Sequence, residues 1–390
     1  MPRFVTGRAS ALVVLFSAAC SSSNPAPQSA PGPNTPRGAR AQEGLDSLRR
    51  NTVIENDRPD LPARTGVLVV ANQQAASATV LNATTLKTIV TLKVGLGPHE
   101  VAVSPDGRWA VVTNYGTRDA QGNSLSVIDL SLAMPVVSRT IDLGEYHRPH
   151  GAAFVGNGSK LVVTSEASQR LVVVDFTSGK VDTALATNGR GAHMVAVTRD
   201  GRRAWTANIA DGTVTEYDLA QRTTGRTYPA APNDEGIAAT PGGGQVWVGS
   251  NTAHTVTVLD ARDGRPLATL EGFGTPYRIG ITRSGRFAVV NDPASNRIWV
   301  YEVPTRDRVA EIDLGRERGL AAGAGGAPGQ VGAGPEGVTF DPIADFAYVT
   351  LNGTNQVVAV DLAQMRVAGF GSVGAGPDGI GYSGLVVPRP

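Results

Sequence analysis

The sequence is poor in the features that usually announce a function. It holds one cysteine in 390 residues, so it can build neither a disulfide framework nor a thiolate metal site. Formal net charge is +1, from 35 Lys and Arg against 34 Asp and Glu. That removes any broad electrostatic case for nucleic acid or an anionic membrane surface. GxSxG, Walker-type, HExxH and CxxC motifs are all missing. Aromatic residues are only 5%, whereas glycine is abundant at 47 residues, a balance that suits many short strands joined by tight turns. With 41% hydrophobic residues, a large core is within reach.

The first residues read as a targeting segment. Arg3 and Arg8 make a basic start, and the apolar run Ala11–Phe16 is too short to span a bilayer as a helix. Ser17, Ala18, Ala19 and Cys20 follow. This stretch resembles a bacterial lipobox, with Ser17 standing where that family usually has Leu. The resemblance implies cleavage before Cys20, lipidation of its thiol, and a place in the cell envelope held by lipid; ordinary secretion is the alternative. Residues 21–62 are rich in Ser, Pro, Asn and Gly without apolar periodicity and read as a flexible linker. Residues 63–390 are then the folded domain.

That domain is repetitive. A phrase that begins GPHEVAVSPDG at Gly97 returns as RPHGAAFVGNG at Arg148 and GAHMVAVTRDG at Gly191. Weaker copies begin at Asn233, Thr275, Gly334 and Gly376. The third residues of the seven copies are His99, His150, His193, Glu235, Tyr277, Glu336 and Asp378, with steps of 51, 43, 42, 42, 59 and 42. The step of 51 contains a polar loop, and that of 59 a Gly-rich loop, Arg316–Gly334, expected to act as a mobile flap. Each unit holds four runs with strand-like alternation, which is what a propeller blade requires. The expected fold is therefore all-β: a seven-bladed β-propeller with four antiparallel strands per blade. One C-terminal strand and three N-terminal strands, starting at Val67, make the last blade and remove the exposed sheet edges. The units, with VVTN at Val111–Asn114 and YVTL at Tyr348–Leu351, resemble YVTN-type repeats. That resemblance implies a fold shared by binding proteins, lactonases and lyases, and leaves the function open.

If the phrase opens the innermost strand, its third residues ring one mouth of the central channel. His99, His150, His193 and Glu235 are of the types that ligate a divalent metal or perform acid–base chemistry. A merely polar, solvated lining is the plain alternative. Arg148, Arg190 and Arg278 lie beside the ring and, with Tyr277, Glu336 and Asp378, are candidate ligand-binding residues, the arginines for an anionic group. The recurrent acids that end each third strand (Asp129, Asp175, Asp218, Asp260, Asp361 and Glu302) read as turn caps, and the four tryptophans as core. The sequence thus points to a small-ligand binder, with a metal-assisted lactonase or lyase and a protein-interaction scaffold as rivals. The partner is a small molecule or a protein, the cofactor if any a divalent metal, contact with a membrane is only through lipid, and a monomer is expected.

Overall fold

The computed structural model describes residues 65–321 and 332–388. The targeting segment, Cys20, the linker and positions 322–331 of the Gly-rich loop lie outside the described residues. The described chain forms seven four-stranded antiparallel sheets. Their innermost strands, Pro98–Val103, Pro149–Val155, Ala192–Val197, Asp234–Ala239, Arg278–Ile281, Pro335–Asp341 and Pro377–Ser383, neighbour one another in a closed circle. This is a seven-bladed β-propeller.

The strand chemistry follows from position in the blade. The second and third strands are covered on both faces by adjacent blades, and they read as continuous apolar runs: every residue of Val67–Asn72 (VLVVAN) is buried, as is all of Lys160–Ser165 (KLVVTS) but its first. Outer strands such as Val136–Asp142 (VVSRTID) meet solvent on one face and alternate. Trp205 and Trp247 are fully buried between blades. The closing blade pairs Pro377–Ser383 with Val67–Asn72, from Val67 opposite Ser383 to Asn72 opposite Pro377. The N-terminal strand is thus an interior strand of a sheet whose inner edge comes from the other end of the chain, as expected. The strand-ending acids cap their turns: Asp129, Asp175, Asp218, Asp260 and Asp361 each accept a backbone N–H two or three residues on, and Glu302 accepts the Thr305 hydroxyl.

One irregularity recurs where it matters. In six blades the pairing of the innermost strand with the second strand skips two residues, between Pro98 and Val101, Pro149 and Ala152, Ala192 and Val195, Asp234 and Ile237, Pro335 and Val338, and Pro377 and Ile380. The skipped residues are the third and fourth of each phrase. A bulge frees a side chain from the ladder and re-aims it, and repetition around the circle delivers one set of such side chains to the axis. The described ends of the Gly-rich loop are tied down. Gln356 bonds Gly319 and Ala321 on one side, and Asn296 bonds Ala333 on the other. Among the described residues, no helix is long and apolar enough to cross a membrane.

Candidate functional site: a buried cup at the channel axis

The seven third-position residues come together, but not at a solvated mouth. His150 is 1% exposed and Asp378 2%, and His193, Glu235 and Glu336 are also buried; only His99 and Tyr277 are half-buried. The ring therefore lies inside the channel.

Its histidines form a ladder. The His99 and His150 rings have centroids 4.4 Å apart, and the His150 and His193 rings 3.7 Å, tilted by 31° and 36°. Carboxylates hold both ends. His99 Nδ1–H donates to Asp378 Oδ2 at 2.5 Å, and its Nε2 accepts from Gln73 Nε2 at 2.8 Å. His193 Nε2–H donates to Glu235 Oε1 at 2.6 Å, and its Nδ1 faces Glu166 Oε2 at 3.4 Å. With an acceptor at each nitrogen, His193 is an imidazolium. Burial opposes that charge, but Glu235 and Glu166 outweigh it and raise the group to about 9. His150 goes the other way. Burial, then the charge on His193, holds it well below the usual histidine range, so it is neutral. Two cations this close would repel by about 4 kcal/mol at an effective dielectric near 20, which is why the rungs titrate apart.

The fourth residues of the phrases make the floor. Four are glycine (Gly151, Gly236, Gly337 and Gly379), and a side chain at Gly337 or Gly379 would strike the backbone of the next blade. The others are Glu100, Met194 and Arg278. Glu100 and Arg278 reach each other across the channel: Arg278 Nε donates to Glu100 Oε1 at 3.0 Å, and Nη1 to Glu235 Oε1 at 2.7 Å. Arg278 is 3% exposed and packs over the Tyr277 ring at 4.4 Å. Burial would lower its guanidinium, yet Glu100, Tyr277 and Glu235 raise it well above the usual value. Burial raises the Glu100 carboxyl, against the pull of Arg278. Burial also opposes the Glu235 charge, but His193 and Arg278 bring that group down to about 2. Arg278 is thus committed to the protein's own carboxylates and is not the free clamp for an anion that its sequence position led us to expect.

The rim rises from the second strands and the turns after them. Tyr115 OH donates to Glu166 Oε2 at 3.0 Å, Asn352 Nδ2 donates to Glu336 Oε2 at 3.0 Å, and Asn251 Nδ2 reaches Glu235 Oε2 at 3.3 Å. Arg148 lies over the Tyr115 ring at 4.8 Å and donates to the Thr117 carbonyl. It opens its phrase at φ 53°, where Gly97, Gly191, Gly334 and Gly376 open theirs. A side chain there costs roughly 1 kcal/mol. Arg190, by contrast, is turned away: it is exposed and paired with Asp211 at 2.7 Å. Of the candidate residues, Arg190 alone stays out of the cup.

The four residues expected to ligate a metal are adjacent, but the three imidazoles stack on one another and Glu235 takes the ring edge of His193. Among the described residues no group of three or more His, Cys, Asp or Glu donors surrounds a common point. Sequence reasoning missed Glu100, Tyr115 and Gln73 as contributors; Glu166, Asn251 and Asn352 stand at the ends of second strands on the ring's face, where turn residues were the expected reading. It also missed Asp234, behind Glu235, which is fully buried with no good partner on either oxygen. Burial raises its carboxyl to about 8. The repeat did carry a signal for two of these, and for Arg278 as well. Asp234 stands where five copies have proline, and Glu100 and Arg278 stand where four have glycine.

No family model matches the chain, and no curated protein does. Solved structures do. A functionally unknown protein from Desulfotomaculum acetoxidans is 15% identical with a TM-score of 0.68, covering 82% of this chain and 99% of that one. Hydrazine synthase from Kuenenia stuttgartiensis is 16% identical with a TM-score of 0.58, covering 72% of this chain and 88% of that one. At such identities the likeness is one of fold alone.

Proposed function

We propose that this protein is an exported, lipid-anchored propeller of the YVTN-repeat kind that binds a small ligand in the cup at its channel axis. The observation that carries the reading is the concentration of buried ionisable groups there. A propeller needs only packed apolar blades to be stable, and replacing buried ion pairs by apolar residues is commonly neutral or stabilising. Here the bulges of six blades and a non-glycine residue in the left-handed region serve to assemble three imidazoles, a guanidinium and a set of carboxylates on one axis. Polar side chains that converge and are largely buried suit recognition of a small molecule better than docking of a protein face.

The test is a thermal-shift panel of small organic ions, neutral metabolite-like compounds, zinc, copper, manganese and magnesium on the full chain. Stabilisation by a compound, lost in a variant carrying Tyr115→Phe and Glu166→Gln at the rim, supports the reading; a panel without any shift counts against it. For the envelope placement, Cys20→Ala should abolish lipid modification and release the protein from the membrane fraction. Unchanged mass and fractionation would remove the lipid anchor.

A second reading is catalytic. A neutral imidazole stacked on an imidazolium is a ready base beside a ready acid, and divergent neighbouring titrations are the mark of such assignments. In a lactonase or lyase, His150 would take a proton and His193 give one. A metal-assisted version requires the nitrogens of His99 and His193 to leave Asp378, Gln73, Glu166 and Glu235. Turnover of lactones, with a pH profile that collapses in His150→Gln, would favour this reading.

A further inference from the structure

The cup is unbalanced in charge and in hydrogen-bond sense. Five carboxylates, Glu100, Glu166, Glu235, Glu336 and Asp378, share it with two buried cations, Arg278 and the doubly engaged His193. Its polar atoms without a hydrogen-bond partner are mostly acceptors. Asp378 Oδ1, on a side chain 2% exposed, has none and lies 3.8 Å from Arg278 Nη2; the amide oxygens of Asn251 and Asn352 are in the same position. The one donor in that state, Arg278 Nη2, lies 2.9 Å from Glu100 Oε1 and so has its charge met. Buried charge and buried acceptors are costly unless something answers them. What the cup lacks is positive charge and N–H groups.

Resting on the reading of the cup as a ligand site, we propose that its ligand is a small protonated amine, drawn in by the carboxylates of the cup, with Glu166 at the rim and the free oxygen of Asp378 as the two candidate acceptors of its ammonium group. Glu166 is the approachable carboxylate, with a quarter of its side chain exposed. An ammonium brings up to three donors on a compact charge, which suits acceptors contributed by several blades. It also suits the site better than a transition metal does, since both nitrogens of His193 face carboxylates and those of His99 are engaged by Asp378 and Gln73. An anion would meet only Arg148 as an uncommitted cation, and would have to settle among the carboxylates.

The experiment is titration calorimetry of the full chain near pH 7 with n-butylammonium chloride, sodium butanoate and zinc chloride at equal ionic strength. Butylammonium should bind and butanoate should not. Asp378→Asn should weaken amine binding at least tenfold. Glu166→Gln should weaken it severalfold with little change in melting temperature, which keeps the test decisive if the Asp378 variant folds poorly. Tighter binding of butanoate, binding of zinc alone, or amine binding indifferent to both substitutions would overturn the amine while leaving the cup a ligand site. If none of the three probes binds, the amine falls, and the cup stands or falls as a ligand site with the wider thermal-shift panel.

Discussion

Asp234 offers a test of the electrostatics that needs no ligand. Its carboxyl is fully buried, has no good partner on either oxygen, and is raised by burial from 3.8 to about 8. Weak help comes from its own backbone N–H, from the charge on His193 and from the backbone N–H of Asn208. At neutral pH the folded protein therefore holds a proton that the unfolded chain has released. The folded group is raised, so its contribution is fully present below pH 3.8 and is lost as pH rises to about 8. Each pH unit in that window corresponds to about 1.4 kcal/mol, so by pH 7 the loss reaches up to about 4 kcal/mol, and the curve is flat above pH 8. Asp234→Asn keeps the shape of the neutral acid and cannot ionise. Measured by urea unfolding at intervals from pH 4 to 9, the variant should match the wild type at the acid end and gain on it steadily to a plateau near pH 8. Asp234→Ala, which restores the residue of the copy at Ala192, should show the same pH slope with a constant offset for lost packing. A wild-type-minus-variant difference that stays constant across the range would refute the assignment of a neutral buried acid, and a variant less stable at pH 8 would show that the charged form has a partner.

Three further outcomes follow from the same geometry. His193 is raised from 6.5 to about 9, so its stabilisation should be fully present below pH 6.5 and disappear as pH passes 9; compared with His193→Gln in thermal melts, the wild type should lose an advantage of about 3 kcal/mol over that window. Glu100→Gln leaves Arg278 buried with its cross-channel partner neutralised and should cost about 3 kcal/mol by denaturant unfolding, and adding Arg278→Met should deepen the loss, because Glu235 then also loses its guanidinium partner; a harmless Glu100→Gln would mean that the floor is not an ion pair. A chain that begins at residue 96 lacks Val67–Asn72, Ser77–Asn82 and Thr88–Lys93, strands that cover the edges of both neighbouring elements, and it should aggregate; a soluble monomer with the full domain's melting temperature would contradict the closure.

The fold was legible because it is written seven times. A period near 42 with alternating runs survives drift in any single copy, and the position of Val67 relative to Ser383 falls out of counting strands. The ring was legible for the same reason, as a column in the repeat. Its depth was not, because the pattern places His150 on the innermost strand without telling how far along the axis its side chain is drawn. That depends on the bulge between Pro149 and Ala152, which no local residue preference announces. Arg278 shows the limit most clearly: the partner that decides its role, Glu100, is 178 positions away in a different copy. Exceptions to a repeat, such as Asp234 among prolines, carried more about the site than the repeated residues did.

The joining of first and last strands has a temporal side. The segment Pro377–Ser383 is the last part of the domain to be synthesised, and its partner Val67–Asn72 is among the first. Until the ribosome has passed residue 383, the opening strand waits with one edge unpaired, and the ring of blades stays an open arc. Contacts between such distant positions are slow to form, and unsealed strand edges invite association with other chains. Whatever accompanies this polypeptide during its synthesis therefore has a defined task, to shield that leading edge, and a defined end point, the emergence of the final strand.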